Sequence, residues 1–109
     1  MGVYEILVQA IQSKSPCLIA KREEPTRSIC PYRLGKSSKG EVNVIYYQFD
    51  GYTSQPEGLQ YDGSPKNWRC NHVSDICTAS LIQGHWHEPD VKPKTRGNCV
   101  VDADYEVDY

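Results

Sequence analysis

Basic side chains cluster early in this 109-residue chain, and they carry the first chemical expectation. Between positions 14 and 40 stand Lys14, Lys21, Arg22, Arg27, Arg33, Lys36 and Lys39 against only Glu23 and Glu24, a local balance of +5. The formal charge of the chain is −2, so the remainder carries −7 and any anion-binding role must rest on a local patch. Arginine makes paired hydrogen bonds to phosphate oxygens, whereas lysine is a less directional point charge. If the early strands are adjacent, Arg27 and Arg33 would share a rim with Lys36 and Lys39, and Arg69 would join from a later strand. Tyr32, Tyr47 or Trp68 would then offer a ring to a base. Arg33 is the preferred anion contact. The competing reading is a solvated rim over core aromatics.

A second constellation suits metals or nucleophilic chemistry. Cys70 and His72 fall on one face of a strand, His85 and His87 repeat that separation, and Cys77 and Cys99 could approach from elsewhere. Four such donors would satisfy zinc, but no compact paired-cysteine signature or helical HExxH is present. Cys70 with His72 or His85, oriented by Asp75 or Asp90, would be the enzymatic alternative. No nucleophile elbow, phosphate loop or dinucleotide fingerprint supports it, and nothing calls for a cofactor. Asp102, Asp104, Glu106 and Asp108 alternate with Ala103, Tyr105, Val107 and Tyr109, which puts four carboxylates on one strand face. That reads as a guarded edge, with a basic protein partner or a homodimer as further possibilities.

Positioning these groups requires a particular set of elements. Tyr4, Leu7, Val8 and Ile11 make one stripe of a short helix over residues 4–11, stopped by Pro16. Residues 17–21 and 26–34 read as strands around the break at 22–25, and 35–40 as a turn. Residues 41–50 form the strongest strand, apolar enough to be covered on both faces. Irregular loops follow at 51–66 and 84–97, with strands at 67–73, 77–83 and 98–107. A single domain spanning 1–109, mainly β, built as a small, strongly bent antiparallel barrel with a short N-terminal helix, is the expected architecture. Five cysteines, an odd number and widely spaced, predict a reduced, cytoplasmic chain with five free thiols. The longest apolar run near the start, residues 6–8, predicts no membrane association.

The order of a basic strand with Ile29-Cys30-Pro31-Tyr32-Arg33-Leu34-Gly35, a Lys/Ser/Gly turn, Ile45-Tyr46-Tyr47, and Trp68-Arg69-Cys70-Asn71-His72-Val73-Ser74-Asp75-Ile76 resembles the WYL domain family over about residues 4–82. The resemblance implies an SH3-like or Sm-like β-barrel that senses a ligand, nucleic acids among those proposed, often beside a DNA-binding domain. Tyr46-Tyr47 stands where the family more typically has a tyrosine and leucine pair, and the 51–66 loop is long. The chain contains no helix-turn-helix segment, so a partner would supply any DNA reader.

Overall fold

A computed structural model describes residues 2–89 and 99–107. In chain order the elements are α1 (Val3–Ser13), β1 (Cys17–Lys21), β2 (Arg27–Lys36), β3 (Val42–Gly51), a 3-10 turn (Pro65–Asn67), β4 (Trp68–His72), a second 3-10 turn (Val73–Asp75), β5 (Ile76–Leu81) and β6 (Asp102–Glu106). Helix α1 opens at Gly2, whose N–H donates to the Glu5 carboxylate at 3.1 Å. It ends at Lys14 in a left-handed conformation (φ 49°), with the Ser15 N–H returning to the Ala10 carbonyl at 3.0 Å. Leu7, Ala10 and Ile11 form its buried stripe, and the helix packs on β2, β5 and β6. A short isolated helix is marginal in water, so this burial is what stabilises it.

The six strands form one antiparallel sheet in the order β4-β3-β2-β1-β5, with β6 also paired to β2. Strand β3 runs along one whole edge of β2. The other edge is divided: β1 pairs with Arg27–Ile29 and β6 with Arg33–Lys36. Pro31 lies in the interval between them, where a residue without an N–H leaves no ladder bond unmade, and the register against β3 shifts there. This hand-over bends the sheet. Gly35 is required just beyond it, because a Cβ would come within 2.1 Å of the Asp102 carbonyl oxygen on β6. No ladder joins β4 to β5 among the described residues, so the sheet is bent but not closed, and the expected barrel is corrected to an open one.

In β3 every residue from Asn43 to Gln48 is buried, as its unbroken apolar run predicts. Tyr47 pairs with Trp68, Ile45 with Cys70 and Asn43 with His72, so these residues share one sheet face. Segment 85–87 and Cys99 lie over that face: His87 stacks on Phe49, and the Asn43 side-chain amide donates to the Cys99 carbonyl at 2.9 Å. The long 51–66 loop is tied down by two buried amides. Gln48 Nε2 donates to the Tyr52 carbonyl at 2.6 Å, and Asn67 Nδ2 donates to the carbonyls of Gln60 and Tyr61 at 3.2 Å each. The described part of β6 exposes Asp102, Asp104 and Glu106 and half-buries Ala103 and Tyr105, the expected alternation. Asp90 and residues 91–97 of the second loop, with Asp108 and Tyr109, lie outside the described residues. No helix among the described residues is long and apolar enough to cross a membrane.

Candidate functional site

The densest grouping of chemically capable side chains lies over the β3 end of the covered face. Strand β3 supplies Tyr47 and Phe49, the pinned loop supplies Asp62, and the segment after β5 supplies His85 and His87. The His87 ring stacks on Phe49 with centroids 3.9 Å apart and planes 11° off parallel. His85 stacks on His87 at 4.4 Å and 25°. Two rings at these distances cannot share one face of an imidazole, so His87 is held between them and His85 forms the exposed end of a three-ring column. In-plane, His87 Nδ1 is 3.0 Å from Asp62 Oδ2, and the Tyr47 hydroxyl donates to Asp62 Oδ1 at 2.7 Å. The same Tyr47 oxygen accepts the Gly63 N–H at 2.5 Å, which fixes the loop that carries the carboxylate. The His87 carbonyl accepts from the Tyr32 hydroxyl at 2.5 Å, so the backbone of this segment is anchored too.

The hydrogen bond from Tyr47 holds the Asp62 carboxyl below its ordinary value; partial burial opposes this and His87 reinforces it. Burial raises the Tyr47 phenol above its usual value. Asp62 therefore stays ionised, and its preferred partner is the N–H form of His87 Nδ1, which leaves Nε2 as the ring's remaining polar atom. Cys30 accepts the His87 N–H at 3.5 Å, but burial pushes its thiol up to about 12, which makes it a poor nucleophile.

The structure redistributes the expected ligand-binding residues. Trp68 is 1% exposed, Tyr47 0% and Tyr32 4%; they meet edge-to-face in the core and present no ring face to a base. The correction has a simple cause: these large rings fill the covered side of the sheet, where the sequence shows aromatics but not what lies over them. Arg27 is also buried, donating to Glu24 at 2.9 Å and to the Tyr46 hydroxyl at 3.1 Å, with its guanidinium over the Tyr52 ring. Arg33 is mostly covered and pairs with Glu106 of β6 at 2.8 Å. Arg69 donates to the carbonyls of Lys66 and Trp68 at 2.6 and 3.0 Å. Lys36 and Lys39 are exposed at the β2–β3 turn. Arg33, Arg69 and Trp68 therefore do not form an open cleft, and the two arginines are engaged within the fold.

The metal and nucleophile assignments change as well. Cys70 and Cys99 form a disulfide with Cα atoms 6.4 Å apart, so neither is a thiolate donor and Cys70 is not a nucleophile. Three free thiols remain instead of five: Cys17 and Cys30 buried, Cys77 exposed on β5. His72 Nδ1 sits 2.6 Å from Asn43 Oδ1, away from the His85–His87 pair that contacts β3 through Phe49. Stacked imidazoles point their lone pairs side by side instead of at one point, and no group of three or more His, Cys, Asp and Glu among the described residues is placed to hold a metal ion. The sequence shows the His85/His87 pair only as possible metal donors, with His85 a possible base, and not as a stacked column; Asp62, in an ordinary Asp-Gly turn signal, gives no hint of its role.

No family model, curated protein or solved structure matches the chain.

Proposed function

We propose that this protein is a non-enzymatic recognition module for a planar anionic ligand, a nucleotide or a short single-stranded nucleic acid, and that the ligand's ring extends the imidazole column at His85. The resemblance to the WYL family implies a role of this kind. The observation that carries it is the Phe49–His87–His85 stack ending on an exposed ring, the arrangement on which bases stack irrespective of their identity. Asp62 and Tyr47 fix the central ring, so the outer surface is preorganised and little freedom is lost on binding. Lys66, exposed at the end of the loop that carries Asp62, is one source of positive charge. Lys36 and Lys39 add charge at the far turn.

The test is a titration of the full chain with adenosine monophosphate and with a short oligothymidine, followed by the ring proton signals of His85. Saturable movement of those signals is expected, with affinity falling as salt rises. His85→Ala should weaken binding about tenfold, the scale of one stacked base, and His85→Phe should retain most of it. Unmoved His85 signals at millimolar nucleotide would remove the proposal.

A further inference from the structure

We infer that the groove between the end of α1 and β6 binds a free amino acid with an apolar side chain. The groove encloses about 550 Å³, within the range of small-molecule sites, and it is built from elements that take no part in the imidazole column. Ile11, Gln12 and Lys14 line it from the helix end, and Asp104, Tyr105 and Glu106 line it from the strand. Its charges select the ligand. Lys14 and Asp104 are both exposed, and neither side chain has a hydrogen bond or ion pair with any described residue. The two stand on one groove without bridging it. Glu106 is the other charge on this lining, and Arg33 already holds it at 2.8 Å.

A separated cation and anion match a ligand that carries both charges, with its ammonium toward Asp104 and its carboxylate toward Lys14. A simple anion would be attracted by Lys14 and repelled by Asp104, and a simple amine would meet the reverse. A free α-amino acid is the smallest common molecule in which the two charges sit close together on one carbon. The uncharged lining sets its side chain. Ile11 and Tyr105 supply apolar surface, and the Tyr105 ring is met edge-on by Tyr4 of α1, with centroids 6.3 Å apart and planes at 74°. That contact joins helix to strand, so the ring is in place before a ligand arrives. An apolar or aromatic side chain gains by covering these groups, whereas a small polar one gains little.

The test follows the ring proton signals of Tyr105 and His85 while the full chain is titrated with L-phenylalanine, N-acetyl-L-phenylalanine and L-phenylalaninamide. L-Phenylalanine should move the Tyr105 signals saturably and leave those of His85 in place. Each blocked compound lacks one charge and should bind about tenfold more weakly. Glycine, with both charges and no side chain, should also bind more weakly than L-phenylalanine. Two variants assign the charges. Asp104→Asn should bring L-phenylalanine down to the level of the N-acetyl compound without weakening the N-acetyl compound itself. Lys14→Asn keeps a residue that tolerates the left-handed backbone there, and it should act in the same way toward the amide. Both positions are exposed, so the circular dichroism spectrum should not change. Unmoved Tyr105 signals up to the solubility limit of L-phenylalanine would overturn the inference. So would equal binding of the three phenylalanine compounds, glycine binding as tightly as L-phenylalanine, movement of His85 in place of Tyr105, or native affinity for L-phenylalanine in both variants.

Discussion

Asp62 is an acid held ionised from two sides, by a phenol that donates to one oxygen and an imidazole beside the other. A carboxyl kept below its ordinary value adds stability that is fully present above the aspartate range, near pH 4, and is lost as pH falls through the lower folded-state value. Asp62→Asn should therefore be less stable than the native chain at pH 6, and the gap should close by about pH 2–3. Urea titrations at the two pH values measure this; a constant gap would mean that Asp62 matters through packing alone. At the same scale, burial pushes the thiols of both Cys17 and Cys30 up to about 12. A thiol reagent at pH 8 should modify Cys77 alone in the folded protein. Denatured but unreduced protein should show three free thiols, two short of the five cysteines present. Five without reductant would dismiss the Cys70–Cys99 bond.

Among the elements, β2 carries the greatest structural demand because it serves three partners. Gly35→Ala should cost about 1–3 kcal/mol, since the new methyl must displace the β6 backbone, a group with no flexible end to yield. Thermal unfolding measures that loss, and Lys36→Ala beside it is the control, an exposed position with no such contact. The local elements were legible because their signals are local. The stripe Leu7, Val8, Ile11 gave α1, and the apolar run through Ile45, Tyr46 and Tyr47 gave a strand covered on both faces. The division of β2 between β1 and β6 was not legible, since it depends on where a strand some seventy residues later returns. The site was obscured for the same reason. Aromatics suited to stacking and aromatics suited to a core look alike in sequence, and only the segment crossing at 85–87 decides that Trp68 is sealed and His85 is open.

At the level of the whole molecule, the Cys70–Cys99 bond ties β4 to the approach to β6 across a separation of 29 residues. A cross-link of that span restrains the unfolded chain by roughly 3–4 kcal/mol on the loop-entropy account. Replacing both cysteines by alanine should lower stability by about 2–4 kcal/mol in urea unfolding while leaving the sheet intact by circular dichroism. Retention of full stability would show that Val100 and the Asn43 bond to Cys99 anchor this segment unaided.

The shared edge of β2 also sets an order of events during synthesis. Once Arg33 has left the ribosome, roughly seventy residues must be added before β6 arrives beside it, about 4–14 s at ordinary elongation rates. Throughout that interval the nascent chain presents half of its central strand as an open template. Chaperone contact or mispairing between neighbouring chains on one messenger should concentrate there and at β1, whose outer edge likewise waits for β5.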